Sequence, residues 1–153
     1  MCAVNNEHKP GLLSSILKNK CTRCRRGNIF RYNNAYDFRN MLKMYERCEV
    51  CGQPMEPEVG FYYGTGFVSY ALSIMICVAT FVAWILIVGI SLNDNRIFWW
   101  MGVNAVLLLA IQPLLMRLSR TIWLAFFVHY DPQWALHTPA TPERGNEGLK
   151  NDW

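Results

Sequence analysis

The sequence predicts a membrane α-helical hairpin of two transmembrane helices, with a small N-terminal head on the cytoplasmic side. Three features of the 153-residue chain carry this expectation: an uncharged run from Phe67 to Leu92, a second from Phe98 to Met116, and two Cys-x-x-Cys pairs ahead of both. The first run has 26 residues without a charged side chain. A bilayer core about 30 Å thick needs about 20 apolar residues as helix, so this run can cross with some tilt. The second has 19 uncharged residues and contains Asn104, Gln112 and Pro113. Only Asn93, Asp94, Asn95 and Arg96 stand at the junction, too few to carry the chain back across a bilayer, so both outer ends fall on one side. The expected helices cover about 62–92 and 97–129, within a membrane unit at 59–131.

Charge orients the hairpin. Up to Gly66 there are ten Lys or Arg against six Asp or Glu, and Arg117 and Arg120 follow the second run, whereas the tip carries one Arg and one Asp. An excess of Lys and Arg marks cytoplasmic flanks, so both termini are expected in the cytoplasm. The apolar stretch Gly11 to Leu17 is too short for the core of a secretory signal. Cysteines placed in reducing cytosol seldom form lasting disulfides, which turns attention to metal.

The head is expected over 13–58, after a disordered N-terminus at 1–12. Cys21-Thr-Arg-Cys24 and Cys48-Glu-Val-Cys51 are separated by 23 residues. Two such knuckles let four thiolates converge on one ion, which makes Cys21, Cys24, Cys48 and Cys51 candidate ligands of a single zinc in a zinc-ribbon head. Iron would fit the same donors, and zinc is preferred. Gly27 and Gly52, just after the knuckles, suit turns needing positive φ. Between the knuckles, "GNIFRYNNAYDFRNMLKMYER" alternates enough for one or two short strands about an Asn33-Asn34 turn, with a helical turn near Met41 to Tyr45. A short amphipathic helix is expected over Gly11 to Lys18. Arg23, Arg25 and Arg26 either balance the negative charge of a four-thiolate site or grip phosphate of lipid or nucleic acid.

The segment "EPEVGFYYGTGFVSYALS" joins head and first helix. Tyr62, Tyr63, Phe67 and Tyr70 fall where an interfacial aromatic belt belongs. Gly60-x-x-x-Gly64 has the spacing of a helix-contact motif, read either as a docking face or as a hinge. Gly60, Tyr62, Tyr63, Gly64, Tyr70, Arg117 and Arg120 are therefore the candidate partner-binding residues. The stretch from Arg117 to His129 is read as an interfacial helix or as a continuation of the second helix. Gln112 before Pro113 relieves a kink, and His129 is a polar tip. Cys77, Met75 and Met101 have no spacing that makes a metal path. Residues 132–153 read as a disordered tail.

Four blocks, "CTRCRRGNIF", "MYERCEVCG", "EPEVGFYYGTGFVSYALS" and "QPLLMRLSRTIWLAFFVHYDP", resemble the bacterial membrane proteins grouped as the domain of unknown function 983 family, in the form found in Bacteroidetes. The resemblance runs from Leu13 to Pro132. Members often carry Pro after the first Cys of a knuckle, where this chain has Thr22 and Glu49. The family has no established activity. In many alphaproteobacteria its genes lie among those of haem-copper cytochrome oxidase and its assembly factors, so the resemblance implies a respiratory link by association and a place in the bacterial inner membrane.

Three functions compete. The leading one is a non-enzymatic protein serving a larger membrane complex as accessory subunit or assembly factor, with cytochrome oxidase or another respiratory complex as the candidate. The others are a rubredoxin-like iron protein for electron transfer and a membrane-tethered binder of anionic lipid or nucleic acid, nucleic acid being the weaker partner. No Ser, His and Asp grouping, phosphate loop or carboxylate pair appears, so no catalytic residue and no small-molecule substrate is inferred. A four-cysteine zinc site is closed to substrate.

Overall fold

The computed structural model describes residues 11–58, 60–89 and 95–139. Three α-helices organise it: α1 over Leu12–Leu17, α2 over Thr65–Val88 and α3 over Arg96–Phe127, with a 3-10 turn at Phe61–Gly64 leading into α2. The expectations for residues 1–10, for Val59 and for 90–94 lie outside the described residues.

Phe61–Val88 and Arg96–Phe127 are long and apolar enough to cross a membrane. They pack as an antiparallel hairpin. Pairing is set by small and polar side chains as much as by apolar ones: Trp123 abuts Gly64 at the open end, Thr80 Oγ1 donates to Asn104 Oδ1 at 2.9 Å midway, and Phe81 meets Trp100 edge to face at 5.0 Å nearer the tip. Asn104 Nδ2 also donates to Cys77 Sγ at 3.2 Å. An amide in an apolar helix needs partners, and these two residues of α2 supply them. At the tip, Gly89 ends α2 with φ 77°, and Arg96 Nη1 crosses to the Val88 carbonyl at 2.8 Å. No residue of α2 is buried, and Phe67, Leu86 and Ile87 are about four-fifths exposed.

At 32 residues α3 is about 48 Å long by its rise per residue, so one end reaches past what a bilayer core requires. It continues without interruption through Pro113 to Phe127, so Arg117 to Phe127 prolongs the second helix, and the chain turns extended at Val128. Its buried residues gather toward that end, at Pro113, Leu115, Arg117, Ser119, Thr121 and Leu124, because the head folds over them.

The head carries both knuckles, without the short strands expected between them. Its pairing consists of three isolated antiparallel bridges, Lys20 with Asn28, Phe30 with Met44 and Arg47 with Pro54, and the described residues contain no longer strand. The physical reason lies in where the polar groups between the knuckles go. Asn34 Oδ1 accepts from the Tyr36 N–H and Asn40 donates to Asp37, closing local turns. The carbonyls of Tyr32, Asn33, Asn34 and Met41 point at Arg117 of α3 instead of at a neighbouring strand. The expected helical turn at Met41 to Tyr45 is replaced by turns over 36–42 and an extended return. The short helix expected over Gly11 to Lys18 is present as α1, with Leu12, Leu13 and Leu17 exposed.

Of the stretch expected as a tail, 132–153, the structure describes 132–139, and 140–153 lie outside the described residues. Residues 132–136 form turns, and Trp134 packs against the cysteine cluster. Arg23 Nη2 donates to the His137 carbonyl at 2.7 Å and approaches Asp131 Oδ2 at 3.4 Å. A buried guanidinium of the head thus holds the chain that leaves α3.

Candidate metal centre

The two knuckles have the same local form. In the first, the Cys21 N–H donates to Gly27 O at 2.8 Å and the Arg25 N–H to Cys21 O at 2.7 Å; the Lys20–Asn28 bridge closes the loop. In the second, the Cys48 N–H donates to Gln53 O at 2.8 Å and the Gly52 N–H to Cys48 O at 2.9 Å, closed by the Arg47–Pro54 bridge. Each loop turns its two sulfurs inward. The N–H groups of Cys24, Gly27, Cys51 and Gln53 donate to the sulfurs of Cys21, Cys24, Cys48 and Cys51 respectively, an arrangement that favours thiolates.

All four Sγ atoms lie within 4.8 Å of one another, and all four cysteines are buried. Cys21 to Cys51 and Cys24 to Cys48 are each 3.7 Å, sulfur to sulfur. Four sulfurs about 2.3 Å from a tetrahedral ion would be about 3.8 Å apart, so the donor set fits one ion such as zinc. Iron takes the same donors. Crowding also governs the protons: Cys24 is drawn far below the ordinary thiol value, first through its contact with Cys21, while Cys21 is pushed up first by the same contact with Cys24. Four like charges at this separation require a cation among them.

Gly27 shows how tightly the knuckles meet. A Cβ placed there would lie 2.3 Å from Cys48 Sγ, so the backbone of one loop lies against a sulfur of the other. The reason for this glycine is therefore close approach, and the positive φ falls instead on Arg25, at 56°. Gly52 does take the expected conformation, with φ 69°.

The site is built onto α3. Leu124, wholly buried, belongs to the same core cluster as the four cysteines, Ile29, Phe30 and Met55, with Met44, Phe61, Val128 and Trp134 packed around it. Thr121 Oγ1 donates to Asn19 Oδ1 at 2.8 Å, just ahead of the first knuckle. One turn earlier, Arg117 is 3% exposed and satisfies its guanidinium on backbone alone: Nε to Met41 O at 2.8 Å, Nη1 to Asn33 O at 3.1 Å, Nη2 to Tyr32 O at 2.8 Å and to Asn34 O at 2.9 Å. Its plane also lies over the Phe30 ring at 4.9 Å. Arg120 reaches Leu42 O at 3.3 Å and covers the Tyr62 ring at 5.0 Å. Both arginines, read from sequence as partner-binding, are engaged within the chain.

The other candidates divide. Tyr62 donates to Met55 O and ties the linker to the head. Gly64 is a docking position, because a Cβ there would lie 2.1 Å from Trp123 Cζ2, and Trp123 Nε1 donates to Phe61 O at 2.8 Å. Gly60 starts the 3-10 turn with φ 78°, the hinge reading of that residue. Tyr63 and Tyr70 are 79% and 68% exposed. Of the three arginines near Cys24, Arg23 is buried against Asp131 and His137, Arg25 stacks on Tyr130 at 4.1 Å, and Arg26 is exposed.

Comparison with known families matches residues 38–128 to the family described as Protein of unknown function (DUF983), more than half of the chain. The chain belongs to the DUF983 family. The match takes in Cys48, Cys51, Arg117 and both long helices, and it begins downstream of Cys21 and Cys24. No curated protein and no solved structure matches this DUF983 chain.

Asn19, Thr121, Leu124 and Asp131 were not singled out by the sequence. Their partners are backbone groups, single polar atoms or a shared core, which leave no motif; only the spacing of Arg117, Thr121 and Leu124 along one helical face hinted at a buried side.

Proposed function

We propose that this DUF983 protein is a non-enzymatic membrane protein: α2 and α3 span the bilayer, and the head holds one structural zinc on the cytoplasmic face. The observation that carries this reading is the sharing of one core by the four cysteines and Leu124 of α3. An ion there does more than fold a small domain. It fixes the head on the helix end that leaves the bilayer, producing a rigid platform. Structural four-cysteine sites are closed to substrate and contribute directly to folding, which suits a platform and not a reaction centre. The uncovered apolar surface of α2 fits lipid, since soluble proteins rarely leave contiguous apolar patches of that size.

A platform next to a membrane serves a larger membrane complex as accessory subunit or assembly factor, and the respiratory association implied by the resemblance makes an oxidase the first complex to examine. Mild-detergent extraction of the tagged protein from its native membrane, followed by identification of co-purifying subunits, tests this. Recovery with one membrane complex at fixed stoichiometry supports it; recovery alone under conditions that keep respiratory complexes intact removes it. Metal analysis of the same preparation separates zinc from the iron of an electron-transfer role, since a ferric four-thiolate site is coloured.

A further inference from the structure

We propose that the loop from Tyr32 to Phe38 is a third membrane-contacting element, seated in the cytoplasmic interface of the bilayer with Arg31, Arg39 and Lys43 on acidic lipid head groups. This rests on the reading that α2 and α3 span the bilayer. The argument begins from depth. Trp123 of α3 is level with Gly64, where α2 begins, because the indole occupies the space of the missing side chain. Arg117 lies six residues from Trp123 toward the hairpin tip, about 9 Å along the helix. That places it abreast of Val68 to Tyr70 on α2, inside the uncharged run. Helical side chains lean toward the helix N-terminus, which for α3 is the tip, so the guanidinium does not gain height from its own stem.

A cation at that level needs every N–H satisfied without water. The carbonyls of Tyr32, Asn33, Asn34 and Met41 meet this need at 2.8–3.1 Å. Those bonds also fix the depth of the loop: its backbone lies where Arg117 lies. The loop faces outward with rings that the head does not bury, Tyr32 at 45%, Tyr36 at 51% and Phe38 at 75% exposure. Aromatic rings at this level belong in the interface, as on α2, where Phe67 and Tyr70 are also exposed. Arg31, Arg39 and Lys43 flank the rings and are exposed. Basic residues beside an interfacial aromatic cluster favour an anionic leaflet.

The test uses the full-length, metal-loaded protein reconstituted in vesicles of phosphatidylcholine and phosphatidylglycerol. A photoreactive benzophenone is introduced by Phe38→p-benzoylphenylalanine in one variant and by Phe67→p-benzoylphenylalanine in another. Both sites are exposed, so neither change disturbs the core. Lipid adducts at both positions, found by mass, are expected. Adducts at 67 without adducts at 38 overturn the loop proposal and leave the spanning helices standing; adducts at neither overturn both. The charge component has its own readout. Arg31→Gln, Arg39→Gln and Lys43→Gln together, or omission of phosphatidylglycerol, should lower the yield at 38 several-fold with no change at 67, and an unchanged yield at 38 in both cases overturns the assignment to acidic head groups.

Discussion

Gly27 stands against Cys48 so closely that a methyl group in place of its hydrogen would sit 2.3 Å from the sulfur. Two loops 23 residues apart thereby become one site. Gly27→Ala is expected to displace Cys48 from the donor set and to lower bound metal well below one ion per chain. Gly66→Ala, at a position with nothing within 4 Å, should leave metal content unchanged. Metal analysis with titration of accessible thiols on both variants checks the pair.

Arg117 joins head to helix through four carbonyls. A hydrogen bond to a charged group contributes about 1.5–3 kcal/mol net of exchange with water, so loss of even two of the four, with buried carbonyls orphaned, sets about 3 kcal/mol as the least that Arg117→Ala should cost. Lysine keeps the charge without the planar fork, so Arg117→Lys should recover only part of it. Denaturant unfolding of the detergent-solubilised protein, followed by a probe in the head, measures both.

Gly64 and Trp123 form the other close joint. Gly64→Ala forces the indole out of its seat and should destabilise by about 1–3 kcal/mol. Trp123→Leu also destabilises, through loss of its bond to Phe61 O and its ring contacts, yet it makes room for the methyl. The double variant should therefore be more stable than the sum of the single losses, by about 0.5–3 kcal/mol in a double-mutant cycle. Strict additivity would contradict the packing described.

These joints show how much was readable beforehand. The hairpin follows from uncharged length and a short tip, and the donor set from knuckle spacing, because both depend on residue type alone. Gly64 was legible as a docking glycine, although its partner is an indole rather than a backbone. Arg117 was not legible as a clamp: its partners are carbonyls, which every residue carries. The missing strands have the same cause, since those carbonyls are spent on Arg117 instead of on a ladder. The chain beyond Pro132 reads as tail by composition, yet Arg23 holds His137 O and Trp134 closes over the core, contacts with no periodic signature.

Acid should loosen that closure. Burial raises the Asp131 carboxyl, but the hydrogen bonds from His137 and the Gln133 N–H, with the nearby His137 and Arg23, outweigh it and hold the group below its ordinary value. A depressed carboxyl stabilises fully above its unfolded value of about 3.9, and that stabilisation is lost as pH falls through the lower folded value. Amide hydrogen exchange over 131–137, corrected for intrinsic rates, should be faster in Asp131→Asn than in the parent at neutral pH. The two should converge at strongly acidic pH, where the parent carboxyl is protonated. Equal protection at neutral pH would contradict a role for Asp131 in holding the segment.

The account rests on one ion held by four sulfurs beneath the end of α3. X-ray absorption at the metal edge, on full-length protein purified without added metal, tests it most directly. The expected result is one ion per chain with four sulfur neighbours at about 2.3 Å and no nitrogen or oxygen in the shell. A folded, metal-free protein, or an ion bound by fewer than four sulfurs, would contradict it.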